Sequence, residues 1–108
     1  MPSRVYLGEL EQIVLLALIR LGDYAYGVPI RQDIEKRTKR TLTIGALYRT
    51  LERLEEKGFV SSTVGDPTPE RGGRAKRFFR PEAPGLQALR RTRDALDVMW
   101  EGLDVKGI

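Results

Sequence analysis

Between Leu7 and Leu21 the chain leaves itself almost no polar face. Leu7, Leu10, Ile13, Val14, Leu15, Leu16, Ala17, Leu18, Ile19 and Leu21 are all apolar, and little interrupts them after Gln12. A helix that is apolar nearly all round must be covered on more than one side. A chain of 108 residues can bury one modest core, so part of this helix faces that core and the rest wants a second surface. A second subunit would supply it; a bilayer would not. The longest uninterrupted apolar run, Ile13 to Ile19, is about a third of the ~20 residues a spanning helix needs. Met1-Pro2-Ser3-Arg4 does not lead into a signal peptide, so a soluble, cytoplasmic protein is expected.

Gly22-Asp23 stops this helix, because glycine tolerates a left-handed cap. Tyr24-Ala25-Tyr26-Gly27 forms a connection, and a second helix starts near Val28, with Pro29 in its first turn, where an amide hydrogen would be unbonded anyway. Ile30 and Ile34 give it a thin buried stripe. Arg31, Gln32, Asp33, Glu35, Lys36 and Arg37 mostly face solvent, and Thr38-Lys39-Arg40-Thr41 ends it. Thr43 is a good N-cap for a third helix running from Ile44 to about Lys57. Its stripe of Ile44, Leu47, Leu51 and Leu54 recurs at spacings of 3, 4 and 3. The opposite face carries Gly45, Arg49, Glu52, Arg53 and Glu56, flanked by Ala46 and Tyr48.

After Gly58 the period changes. Phe59 to Val64 is rich in β-branched and aromatic residues and reads as a strand, with Ala75 to Arg80 as its partner. The loop between them, Gly65 to Arg74, is full of turn formers, so the expected element is a hairpin with a basic, glycine-containing tip. Pro81-Glu82-Ala83-Pro84-Gly85 introduces a last helix, about Leu86 to Leu103. There Leu86, Leu89, Arg93, Leu96, Trp100 and Leu103 follow a heptad seam with one arginine in it. Asp104 to Ile108 is expected to fray.

The chain has no cysteine and no histidine, which removes disulfides, thiolate chemistry, zinc-finger sites and the commonest general base. Glu9/Glu11 and Glu52/Glu55/Glu56 read as solvated helix surface, so no enzyme, cofactor or metal centre is expected. Charge is more telling. Nineteen basic residues stand against fifteen acidic, a net of +4. Pro67 to Arg80 holds Arg71, Arg74, Lys76, Arg77 and Arg80 against Glu70 alone, so this one stretch carries the whole excess. A local basic stripe on a balanced body suits binding to a phosphate backbone.

Three helices followed by a two-stranded hairpin is the order of a winged helix-turn-helix domain. The expected fold is mainly α with a two-stranded β wing: a DNA-binding domain over residues 1–81, and a C-terminal dimerisation helix and tail over residues 82–108. The third helix would enter the major groove. Gly45 and Ala46 would let its backbone approach closely behind Thr43, and Tyr48, Arg49 and Arg53 would contact bases and phosphates. Glu52, Glu55 and Glu56 crowd its far half, so it should enter by its N-terminal half. In the wing, Gly72 and Gly73 would let the backbone lie close to the duplex. Arg74, Lys76 and Arg77 would contact phosphate, and Arg71 would reach the minor groove.

Leu7-Gly8-Glu9-Leu10-Glu11, Tyr26-Gly27, the run Gly45-Ala46-Leu47-Tyr48-Arg49-Thr50-Leu51-Glu52-Arg53-Leu54-Glu55-Glu56-Lys57-Gly58-Phe59-Val60 and the wing Glu70 to Arg80 followed by Gly85 together resemble the PadR family of transcriptional regulators. The resemblance implies a homodimeric repressor on a palindromic operator, with the last helix as dimerisation arm. It carries Tyr48 and Arg49 over as recognition-helix contacts, and Arg74 and Lys76 as wing contacts. Where relatives usually read Leu-Thr-Pro-x-Gly after the wing, this chain reads Arg80-Pro81-Glu82-Ala83-Pro84-Gly85, which leaves the start of the last helix open.

The dimer also follows from the residues themselves. Leu10, Ile13 and Val14 on the first helix, with Leu89, Arg93, Leu96, Trp100 and Leu103 on the last, form surfaces that one small domain cannot cover. The resemblance further implies a small, flat aromatic effector at that interface, walled by Trp100; plain packing is the competing role for the same residue. Two other functions stay open: a winged-helix protein-interaction module, and a nonspecific nucleic-acid-binding protein.

Overall fold

The computed structural model describes residues 6–65 and 75–104. The fold is built of four helices, α1 (Glu9–Leu21), α2 (Gly27–Thr38), α3 (Ile44–Glu56) and α4 (Ala83–Trp100), with a hairpin of β1 (Val60–Val64) and β2 (Arg77–Pro81) between α3 and α4 in the chain. The strands pair antiparallel, with Val60 opposite Pro81 and Val64 opposite Arg77. A short 3₁₀ turn, Gly22–Tyr24, follows α1. It begins at Gly22, whose φ of 57° suits a residue without Cβ.

The apolar α1 sits at the centre. Val14, Leu15 and Leu18 are completely or almost completely buried, and they meet Ile30 and Ile34 of α2, Leu47, Leu51 and Leu54 of α3, and Phe79 of β2 in one core. On α3 the side chain of Thr43 accepts a hydrogen bond from the amide of Ala46 at 3.1 Å, the expected cap. The wing is tied to the helices by more than its own ladder. Phe79 donates its amide to the Ala25 carbonyl at 2.8 Å, and Tyr26 bridges Phe78. The Tyr26 and Phe78 rings meet edge to face at 5.4 Å. The segment 24–27, expected as a plain connection, is therefore the wing's third line of attachment.

The last helix starts at Ala83, three residues earlier than its apolar spacing suggests, and ends at Trp100. Pro84 fits the first turn, and the missing threonine cap is made good from outside the helix. Glu82 donates its amide to the Phe59 carbonyl at 2.9 Å, and its carboxylate accepts the Ser61 hydroxyl at 2.8 Å. Gly85 then lies against the same carbonyl, and a Cβ there would stand 2.2 Å from the Phe59 oxygen. Only glycine permits that approach. Leu103, expected on the seam, falls beyond the helix, after Gly102 with its φ of 75°. Gly85, Ala88 and Thr92 are buried, whereas every residue from Arg93 to Trp100 is exposed except the half-buried Ala95. α4 thus projects from the body. A Cα radius of gyration of 16.0 Å, against about 13 Å for a compact chain of ~100 residues, reflects it.

One carboxylate departs from its expected role. Glu11, read as solvated surface, is only 8 % exposed. One of its oxygens accepts the Gly8 amide at 2.9 Å and the other accepts Lys57 Nζ at 2.9 Å. Burial pushes its pKa up, but the Gly8 amide, the Lys57 ammonium and nearby Arg53 outweigh that and hold it below the ordinary glutamate value of about 4.5. A carboxyl depressed in the fold stabilises it above the unfolded-state pKa and loses that contribution as pH falls through the folded value. Glu11→Gln should therefore lower the urea midpoint at neutral pH and flatten its fall below about pH 4.5. An unchanged acid limb in the variant would show that Glu11 does not drive it.

Candidate nucleic-acid interface

The recognition-helix candidates divide into two kinds. Thr43, Gly45, Arg49 and Arg53 are exposed, and Ala46 is half-buried beside them. A Cβ on Gly45 would lie 3.4 Å from Nη1 of Arg49, so the guanidinium rests one turn back, over the N-terminal end of α3. Among the described residues Arg49 has no ion-pair or hydrogen-bond partner. A free guanidinium at that end, where unpaired amides add partial positive charge, is arranged to meet an anion.

Tyr48 is of the other kind. Its ring packs edge-on against Phe79, 6.2 Å between centroids. Its hydroxyl lies over Gly27, where an added Cβ would come within 2.6 Å. Gly27 and Tyr48 thus fit each other across α2 and α3, which accounts for a glycine after Tyr26. This Tyr48 joins the recognition helix to the wing root.

The wing candidates fare unevenly. Arg71, Gly72, Gly73 and Arg74 lie outside the described residues. Lys76 places its ammonium 4.7 Å from the centre of the Tyr26 ring, held at the wing root by a cation–π contact. Arg77, expected as a phosphate contact, is turned inward: its guanidinium pairs with Glu55 and donates to the Ser62 hydroxyl at 3.0 Å. That pair removes Glu55 from the acids expected to repel phosphate, leaving Glu52 and Glu56. Arg80 is exposed.

The last turn of α2 and the α2–α3 connection hold cations that read as plain surface in the sequence. Arg37 pairs with Asp33 at 2.8 Å and Arg40 with Glu9 at 2.7 Å. Lys36 and Lys39 have no such partner among the described residues. Lys39 caps α2 with a φ of 60°, a left-handed conformation unusual for a residue with a side chain.

A second surface lies between α1 and α4. Val14, expected on it, is fully buried in the protomer's own core and cannot reach a partner. Leu10 and Ile13 are half-buried against that core. The exposed apolar residues of α1 are instead Leu16 and Ile19, at 47 % and 48 %. With Leu86, Leu89, Leu96 and Trp100 they line an open groove of about 970 Å³. Leu96, Trp100 and Leu103 are each more than half exposed, and Arg93 stands in solvent, 3.7 Å from Asp97. Among the described residues no acidic cluster could hold a metal ion, and no helix is long and apolar enough to cross a membrane.

No curated relative matches the sequence. Solved structures do match its fold. A transcriptional regulator from Clostridium thermocellum is 24 % identical, covers 83 % of this chain and 82 % of its own, and superposes with a TM-score of 0.70. A PadR-like transcription factor from Bacteroides fragilis is 22 % identical, with coverages of 85 % and 84 % and a TM-score of 0.71. A PadR family regulator from Eggerthella lenta is 24 % identical, with coverages of 87 % and 81 % and a TM-score of 0.66. The model of the transcriptional regulator PadR-like family matches residues 15–91, from the middle of α1 through the wing and into α4. The chain belongs to the PadR-like family of transcriptional regulators.

Proposed function

We propose that this regulator binds a palindromic operator in the cytoplasm as a homodimer and represses transcription from it. The family's role is transcription regulation rather than catalysis, and it implies DNA binding. The observation that carries the finer reading is Arg49, without a partner among the described residues and resting over the N-terminal end of α3. In this reading Arg49 reads bases, with Thr43, Gly45, Ala46 and Arg53 around it. Tyr48 and Arg77 hold helix and wing in place, while Arg71, Arg74 and Lys76, with Gly72 and Gly73 between, follow the backbone. Residues 82–108 serve as the dimerisation arm. Two copies joined there would set their recognition helices on successive major grooves, about 34–36 Å apart.

Selection of bound sequences from a duplex library should enrich an inverted repeat. Arg49→Ala should then lose about 1–3 kcal/mol and relax preference at its base pair, while Arg74→Ala should weaken all sequences alike and reduce the salt slope by about 1. Binding with no enriched sequence would favour a nonspecific nucleic-acid-binding protein, and no duplex binding at all a protein-interaction module.

The dimer is carried by the exposed apolar residues of α4 and the groove beside them. Burying a leucine-sized side chain contributes about 1.5–3 kcal/mol, so Leu96→Glu should turn a dimer into a monomer at micromolar concentration by light scattering. A dimeric variant would move the interface elsewhere. The groove is also where a flat aromatic effector would sit, against Trp100. Quenching of Trp100 fluorescence by planar phenolics or dyes is then expected, and no response across such a panel would remove the effector.

A further inference from the structure

A run of short polar contacts, buried at one end and part-buried at the other, leads from the arm to the far end of the recognition helix. Thr92, 5 % exposed on α4, donates its hydroxyl to the Ala88 carbonyl at 2.8 Å and accepts the Leu7 amide at 2.9 Å. The next residue, Gly8, donates its amide to Glu11 Oε1, and Glu11 Oε2 receives Lys57 Nζ, each at 2.9 Å. Lys57 is the residue that closes α3. Two residues further on, Phe59 meets the start of α4 through Gly85.

We propose that Glu11 is a positioning residue for DNA recognition. Through Thr92, Leu7, Gly8 and Lys57 it sets the angle between the arm and α3, and so the mutual orientation of the two recognition helices in the dimer. The inference rests on the dimeric, DNA-binding reading above. Three observations support it. The two ends of the run fall on the two parts whose relative direction decides whether both helices fit one duplex. Hydrogen bonds are directional, whereas the hydrophobic contacts around them are not. An ion pair whose carboxylate is buried and whose ammonium is partly exposed adds little net stability, so its presence calls for another role, such as fixing one geometry. Any load on α4, from a partner or an effector in the groove, would reach α3 by the same route.

The chain has no cysteine, so Glu52→Cys, at an exposed position on α3, gives one spin label per protomer and one label-to-label distance without DNA. The parent should show a single narrow distribution. Glu11→Gln and Thr92→Val should each shift or broaden it with the dimer mass unchanged, and in unlabelled protein should lower affinity for the selected inverted repeat roughly 2- to 30-fold. Ile34→Val, a core truncation in α2 outside the run, should lower the thermal midpoint and leave the distribution in place. An unchanged distribution in dimeric Glu11→Gln overturns the proposal. If that variant does not fold, Thr92→Val, which removes only a hydroxyl, decides in the same way. A parent without dipolar coupling is a monomer, which overturns the dimer and this inference together. A distribution that responds to Glu11 in a protein that selects no inverted repeat sinks the operator reading and leaves the strut between arm and helix standing.

Discussion

Everything else in the fold depends on α1 having no face it can give to water. Apart from Arg20, only leucine, isoleucine, valine and alanine follow Gln12 in it, so the other elements are arranged as its covering: α2, α3, β2 and the first half of α4. These four elements still leave Leu16 and Ile19 bare. The same helix therefore nucleates the protomer's core and supplies the floor of the groove beside α4. Core and groove are two parts of one hydrophobic surface, which is how a chain of 108 residues builds both.

The charges are sorted by a similar economy. Much of the body's ionic surface is neutralised locally: Asp33 by Arg37, Glu9 by Arg40, Glu11 by Lys57 and Glu55 by Arg77. Lys36, Lys39 and Arg49 remain without partners among the described residues, on or beside the helix-turn-helix. Exposed pairs such as Glu9–Arg40 contribute little to stability. Their larger effect is to keep acidic side chains from competing with an anionic ligand for the cations that stay free.

Period and punctuation made most of the fold legible. The α3 stripe, its Thr43 cap and the switch to alternation after Gly58 are local signals, and those elements stand within a residue or two of where the spacing puts them. What escaped was long-range. Glu11 and Lys57 are 46 residues apart, and each sits in a polar stretch, so nothing nearby marks one of them as buried. Arg77 counted as one more wing cation because its acceptor Glu55 lies on another element. Val14 looked like a partner surface because an all-apolar helix does not declare which side the protomer itself covers. The start of α4 was open because its anchoring comes from the main chain of Phe59, to which sequence pattern is blind.

That anchoring has an evolutionary side. Where α4 leaves the body, its direction is fixed by glycine against a backbone carbonyl and by one amide hydrogen bond, neither of which depends on the side chains further along the arm. The outer half of α4 is thereby released from any duty to the fold of its own protomer. Its sequence can drift, lengthen or be traded between relatives without disturbing the domain that carries it, and, with the arm as the dimer contact proposed above, each such change would redraw which copies recognise one another. A genome holding several such regulators could keep their pairings separate by varying this one segment.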